Sequence, residues 1–338
     1  MKIAFFEVPK SEQPVFMQAF NGVEVSFFEE KLNEDNVSLV KDAEIVSVFV
    51  NSEINKNIID SLLNLKFVAT RSTGFDHIDV EYATSKNIKV SNVPAYGSHT
   101  VAEFSFGLLL NLSRKIYDAY HNLREGADFS IFDLQGFDLF GKTIGIIGTG
   151  KIGKNSVKIA KGFGMNVVAY DLHPDLEFAK ENNFEYKTLQ EVLSVSDVIT
   201  LHAPYTKENH HLINKENISL MKKGVFLINT ARGELIDTDA LVWALKEKII
   251  AGAGLDVLEG ERELKEEIEI VSSPEKAERV KDYKTLLEDR VLIDMPNVIV
   301  TPHVAFYSKE AEGEIVKMTI DNIQNFISGS PQNIVISK

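Results

Sequence analysis

The segment Lys142-Thr-Ile-Gly-Ile-Ile-Gly148-Thr-Gly150-Lys-Ile-Gly153 decides how this chain folds. An apolar, β-branched run feeds a Gly-x-Gly-x-x-Gly loop, and helix-forming sequence continues from Lys154. Each glycine has its own physical task. Gly148 permits a tight turn, Gly150 lets the backbone approach a pyrophosphate, and Gly153 lets helix and strand pack closely. The helix N-terminus then offers unpaired N–H groups and a partial positive charge to phosphates. A second strand, Val167–Tyr170, ends in Asp171, 18 residues past Gly153. A carboxylate there accepts hydrogen bonds from ribose hydroxyls and repels a 2′-phosphate, so the expected cofactor is NAD rather than NADP. Three glycines can also close a strand-to-helix turn without any nucleotide, but the preceding strand, the helix and Asp171 favour the nucleotide.

Working outward, strands are expected at Thr143–Ile147, Asn166–Tyr170, Asp197–Leu201, Val225–Asn229, Ile250–Leu255 and Val298–Thr301. Six strands with helices between them is the count a dinucleotide-binding sheet needs. The first hundred residues carry the same rhythm, with strands at Lys2–Phe6, Val23–Phe27, Glu44–Val48, Lys66–Thr70 and Ile88–Val90 and helices at Asn55–Leu63 and Val80–Lys86. The pattern predicts an α/β protein of two doubly wound Rossmann-like domains. A long apolar helix is expected over roughly Thr100–Leu112, after Asn92-Val-Pro-Ala-Tyr96. The last helix, about Ser308–Ile327, sets Val316, Ile320, Ile323 and Ile327 on one expected buried stripe. Its return onto the first domain would make that domain discontinuous in sequence.

The 338 residues suffice for two domains, and 44% hydrophobic with 25% charged residues excludes a disordered or fibrous chain. A formal charge of −14 disfavours nucleic acid and anionic lipid as partners. The absence of cysteine removes disulfides, thiolate metal sites and a cysteine nucleophile. The opening MKIAFFEVPK is too short for a signal-peptide core, and no 18-residue apolar window exists, so the expectation is a soluble, cytoplasmic protein with no membrane contact. Glu259 to about Asp289 is dense in charge, is broken by Pro274, and reads as a solvated surface insertion.

Ligands of open α/β sheets sit beyond the carboxyl ends of the strands. Those ends deliver His202-Ala203-Pro204, then Thr230-Ala231-Arg232-Gly233, then Asp256, and finally Pro302-His303. An arginine, a carboxylate and two histidines are thereby directed to one crevice. At this point the sequence resembles the D-isomer-specific 2-hydroxyacid dehydrogenases. The resemblance rests on Thr70-Arg-Ser-Thr-Gly-Phe-Asp-His-Ile-Asp79, Asn92–Tyr96, Gly141–Gly150, Leu201–Pro204, Leu227-Ile-Asn-Thr-Ala-Arg-Gly233, Gly254-Leu-Asp-Val257 and Thr301-Pro-His-Val-Ala-Phe-Tyr307, in family order along most of the chain.

What the resemblance implies is specific. It implies a discontinuous substrate domain, 1–98 with 305–338, around an NAD-binding domain, 99–304. It places the family's catalytic arginine, glutamate and histidine on Arg232, Glu261 and His303, with Glu259 a rival to Glu261 should the loop slip in register. Beside the cofactor-loop glycines Gly148, Gly150 and Gly153, it assigns Lys151 and Ile152 to the pyrophosphate. Asp171, Ala203, Pro204 and Asn209 fall on the adenosine side, and Thr230, Ala231, Arg232 and Asp256 near the nicotinamide. It gives Thr73, Gly74 and Tyr96, with Arg232, to the substrate carboxylate. The implied reaction interconverts a small 2-oxo acid such as pyruvate and the D-2-hydroxy acid.

The residue types suit that chemistry. A planar guanidinium holds a carboxylate with two hydrogen bonds. A histidine is the natural proton donor to a carbonyl oxygen receiving hydride, and a neighbouring glutamate favours its protonated form. His202 competes with His303 for this role, since it reaches the same crevice. Arg232 could alternatively bind a cofactor phosphate or a backbone carbonyl, Asp256 could cap its strand, and Tyr96 could be a core aromatic. His77, His99, His121, His173, His210 and His211 read as surface or structural residues. No metal site is expected, because adjacent side chains such as His210 and His211 diverge on a helix or strand. The alternatives are a larger 2-hydroxy acid, glycerate or phosphoglycerate as substrate, or an NAD-sensing interaction protein without catalysis. A homodimer is expected, through the apolar Thr100–Leu112 helix.

Overall fold

The computed structural model describes residues 1–127, 129–261, 264 and 283–336. The chain divides into two compact units, Met1–Tyr96 with Ser308–Lys338, and Gly97–Tyr307.

In the first unit, five short strands run parallel: β1 (Lys2–Phe5), β2 (Glu24–Phe27), β3 (Ile45–Val48), β4 (Phe67–Thr70) and β5 (Lys89–Ser91), in the order β2-β1-β3-β4-β5. Every residue of β3 and β4 is buried, as a parallel strand covered on both faces requires. One face packs Val46, Val48, Ile58 and Ile59; the other packs Ile3, Phe5, Phe16 and Phe67. The helix Lys309–Ile327 closes the second face: Ile323 is fully buried there, and Phe326 stacks on Phe67 at 4.3 Å between ring centroids. This helix starts where Ser308 Oγ accepts the Ala311 N–H, an ordinary N-cap. The first unit is therefore discontinuous. The buried stripe of this helix is displaced from the expected one, however. It runs through Ala311, Ile315, Thr319, Asn322 and Ile323, while Val316 and Ile320 lie at its margin and Ile327 is 42% exposed. Buried Thr319 satisfies its hydroxyl on the Ile315 carbonyl and Asn322 donates to the Asn92 carbonyl, so polar residues that periodicity discards are tolerated on this face.

The second unit holds seven parallel strands: β6 (Thr143–Ile147), β7 (Asn166–Tyr170), β8 (Glu185–Tyr186), β9 (Val198–Leu201), β10 (Val225–Asn229), β11 (Ile250–Leu255) and β12 (Val298–Val300). Their order is β12-β11-β10-β9-β6-β7-β8, so the chain reverses direction across the sheet between β6 and β9, the doubly wound arrangement with its switch point there. The seventh strand, β8, has only two residues and pairs with Val168 and Ala169 at the sheet edge, too short to show a strand pattern in sequence.

The helix Ser98–Arg114 belongs to the core of this unit. Phe106, Leu108, Leu109 and Leu112 are buried, and Leu108 lies so close to β11 that a Cβ on Gly254 would stand 2.9 Å from it. The side of that helix facing the sheet is core, while Phe104 and Leu110 are only partly buried. The apolar residues left outside belong to its neighbour Ile116–Gly126, which buries none of its residues and exposes Ile116, Tyr117, Tyr120 and Leu123.

The charged stretch expected as a surface insertion lies mostly outside the described residues, but its end does not. Tyr283–Asp294 is a helix that buries Leu286, Asp289 and Leu292, and Asp289 Oδ2 accepts the Gly260 N–H at 2.9 Å. No described helix is long and apolar enough to cross a membrane.

Candidate active site

The carboxyl end of β6 turns at Gly148, whose φ of +91° suits glycine, and a Cβ there would stand 2.6 Å from the Ala203 nitrogen. The His202–Ala203 backbone, leaving β9, therefore presses directly on the loop. A Cβ on Gly153 would fall 2.0 Å from the Gly148 carbonyl oxygen, so helix and strand meet without room for a side chain. Gly150 differs, because a Cβ there would meet nothing within 4 Å. It is the N-cap of the helix Lys151–Gly162 and supplies no side-chain cap, which leaves the first-turn N–H groups at Lys151 and Ile152 without one. Asp171 follows β7. Its Oδ2 accepts the Thr149 N–H at 2.6 Å and the Thr149 hydroxyl at 2.9 Å, and its Oδ1 accepts the His173 N–H. Burial pushes this carboxyl upward, but those hydrogen bonds outweigh it and hold the group below the usual range, as the carboxylate.

Three adjacent strands, β10, β11 and β12, deliver the second group. After β10, fully buried Asn229 clamps the turn: its Oδ1 accepts the Ala231 N–H and its Nδ2 donates to the Arg232 carbonyl. The Arg232 guanidinium donates a hydrogen bond to the Ala231 carbonyl, so the backbone contact considered for it exists. The next residue, Gly233, is jammed against the Leu258–Glu259 backbone, where a Cβ would come within 2.4 Å of the Glu259 nitrogen. This packing binds the Arg232 turn to the segment that ends in Glu261.

After β11, buried Asp256 organises the last turn. Its Oδ1 accepts from the Thr301 hydroxyl at 2.5 Å and the Val304 N–H at 3.0 Å, and its Oδ2 accepts from the Ala305 N–H at 2.8 Å. Burial raises this carboxyl despite those bonds. His303 sits inside that turn with φ +57°, a left-handed conformation uncommon for histidine, and its N–H donates to the Asp256 and Thr301 carbonyls. Its Nδ1 lies 3.0 and 3.1 Å from the two oxygens of Glu261, and its Nε2 has no partner among the described residues.

The two rivals occupy other places. Glu259 Oε1 lies 2.7 Å from His211 Nε2, and its Oε2 accepts the Thr238 hydroxyl. His202 is buried; its Nε2 meets Ser156 Oγ at 2.9 Å and Thr200 Oγ1 at 3.1 Å, and burial pushes its pKa from 6.5 to about 4. It braces the helix after the glycine loop and stays neutral at physiological pH. Asn209 is turned inward on its own loop, its side chain joining Thr206 N–H to the Pro204 carbonyl. The expectation that His210 and His211 diverge is corrected: φ +54° at His211 folds the two rings into a stack 3.8 Å apart.

In the first unit, the N–H groups of Thr73 and Gly74 donate to no acceptor among the described residues, a pair of donors suited to an anion. The loop is fixed by the Thr73 hydroxyl on the Val93 carbonyl and Asn92 Nδ2 on the Thr73 carbonyl. Tyr96, at the end of this unit, is half-buried.

Residues 106–305 match the family described as D-isomer specific 2-hydroxyacid dehydrogenase, NAD binding domain. The D-lactate dehydrogenase of Escherichia coli K12 is 38% identical over 335 residues, 97% of this chain and 98% of its own. The chain belongs to the D-isomer-specific 2-hydroxyacid dehydrogenase family. An aromatic 2-oxoacid reductase of Clostridium sporogenes is 39% identical over 306 residues, 89% of this chain and 88% of that one. A D-lactate dehydrogenase of Aquifex aeolicus, solved with NAD and lactic acid, superposes with a TM-score of 0.87 at 35% identity over 99% of both chains.

As a member of this family the chain takes NAD, and its own geometry fits the group. Open space lies over Gly150, the first helical N–H groups are uncapped, Asp171 is held ionised, and the buried Thr230 hydroxyl has no partner among the described residues. Sequence reading missed the positioning residues of this dehydrogenase. Asn229 and Thr301 lie inside matched motifs as Asn-Thr-Ala-Arg-Gly and Thr-Pro-His, and a short polar residue at a strand's carboxyl end was the available signal.

Proposed function

We propose that the protein reduces a small 2-oxo acid, pyruvate foremost, to the D-2-hydroxy acid, with His303 as acid–base, Glu261 as its charge partner and Arg232 as the carboxylate holder. The observation that carries this reading is the Glu261–His303 pair at 3.0 Å, set one strand from Asp256 and two from Arg232 in the same sheet. Bound reduced NAD supplies hydride to the carbonyl carbon. The planar Arg232 guanidinium matches the geometry of a substrate carboxylate and would orient the ketone beside it. Protonated His303 donates from Nε2 to the carbonyl oxygen as negative charge grows there, and Glu261 on Nδ1 fixes the tautomer and offsets the imidazolium charge. In oxidation, neutral His303 takes the hydroxyl proton back. Asp256 holds the turn that aims the ring.

The aromatic 2-oxoacid reductase among the relatives favours a second reading, a substrate with a bulkier side chain on the same machinery. A panel of 2-oxo acids, each assayed with NADH and NADPH, separates the two. Pyruvate with NADH is expected to give the highest kcat/KM; phenylpyruvate ahead of pyruvate selects the second reading, and no turnover with any member refutes both. We assign a homodimer to the exposed apolar face of Ile116–Gly126 with Phe129, Ile131 and Phe132, each more than 80% exposed. Light scattering reads the mass directly, and a monomer that Tyr120→Glu does not alter would refute the assignment.

A further inference from the structure

His210, His211 and Glu259 take no part in the proposed reaction, yet they form a compact group of donors. One ring nitrogen from each histidine and one carboxylate oxygen all lie within 4.8 Å of one another. The left-handed backbone at His211 creates the arrangement, since two adjacent side chains share a side only when the backbone between them departs from helix and strand. The His211 N–H is anchored on the Glu234 carbonyl, and the turn before it is closed by Asn209. Glu259 is oriented from behind by the Thr238 hydroxyl on Oε2, which leaves Oε1 toward His211 at 2.7 Å. The Tyr205 hydroxyl stands 3.5 Å from His210 Nδ1. A ligating carboxylate whose second oxygen is held by an outer hydroxyl, as Thr238 holds Glu259, is the usual anatomy of a metal site.

We propose that His210, His211 and Glu259 bind a divalent transition-metal cation of the zinc class. Two imidazole nitrogens and one carboxylate oxygen select Zn²⁺, Co²⁺ or Ni²⁺ over Mg²⁺ and Ca²⁺, which prefer oxygen alone. Because His210 is exposed, the fourth position is open to water. The ion replaces the proton shared by His211 and Glu259 and draws the three donors inward to about 2.0–2.2 Å from its centre. It would tie the loop through Asn209 to the Leu258–Glu259 backbone, two residues before Glu261.

The test is a titration of chelator-stripped full-length protein with Zn²⁺ in competition with a chromogenic chelator, run on wild type, His210→Ala and Glu259→Gln. One tight equivalent is expected in the wild type, weakened at least tenfold in either variant, because loss of a ligand costs no less than the 10–100-fold seen for outer-shell changes. Co²⁺ should give a visible absorption band in the wild type that both variants lose. His210→Ala removes an exposed side chain and keeps every other histidine, so circular dichroism should show it folded and its residual uptake measures adventitious binding. Wild-type affinity no greater than that of folded His210→Ala overturns the site.

Discussion

Two strand ends of one sheet each carry a histidine, and they have opposite fates. His202 follows β9 and is shut in against Ser156 and Thr200, with no carboxylate bonded to its ring, so burial alone governs it and drives its pKa to about 4. His303 follows β12, sits in a left-handed turn, faces a carboxylate with Nδ1 and keeps 31% of its side chain exposed. The residue type and the topological position are shared. What differs is the loop that follows each: one folds inward against the glycine loop, and the other is tied by its backbone N–H groups to Asp256.

The comparison can be broken by substitution. His303→Ala is expected to lower turnover by about 10²–10⁴-fold while NADH affinity, read by fluorescence titration, stays at the wild-type value. His202→Ala should leave turnover within a few-fold; the reverse pattern would exchange the two roles. Arg232→Ala should cost about 10²–10³ in kcat/KM for the 2-oxo acid, the loss of two charge-assisted hydrogen bonds, with KM rising.

The pH dependence of stability sharpens the contrast at His202. The unfolded chain takes up a proton near 6.5, whereas the buried ring refuses it until about 4. The folded-state pKa is depressed for a base, so this contribution is complete above pH 6.5 and is lost as pH falls toward 4, reaching about 3 kcal/mol. Urea denaturation at a series of pH values should show that decline, and His202→Gln should flatten it. A smaller effect separates the two glutamates. Glu261→Gln should lower the reduction rate about 10–100-fold, the value of a hydrogen bond to a charged group, while Glu259→Gln leaves turnover within twofold.

Much of this was legible in sequence because strong backbone constraints leave strong signatures. Gly148 and Gly153 are read directly, since close approach leaves room for nothing larger, and fully buried strands such as β3, β4 and β9 announce themselves by apolar content. Less was legible where tertiary contact overrides periodicity. Thr319 and Asn322 are polar yet buried, and β8 is two residues long. Choosing between Glu259 and Glu261 needed coordinates, because His211 and His303 come from distant parts of the chain and each captures one of them.

One feature of the first unit bears on how the molecule is made. Its sheet presents Ile3, Phe5 and Phe67 to a helix that is not synthesised until the ribosome reaches Phe326. The middle of the chain holds a whole sheet and its covering helices, so it has everything required to fold during translation. The opening strands must wait, with a greasy face uncovered, until the helix Lys309–Ile327 has emerged. Nascent chains stalled before Lys309 should therefore draw chaperones to these early strands, a burden that emergence of the Lys309–Ile327 helix removes.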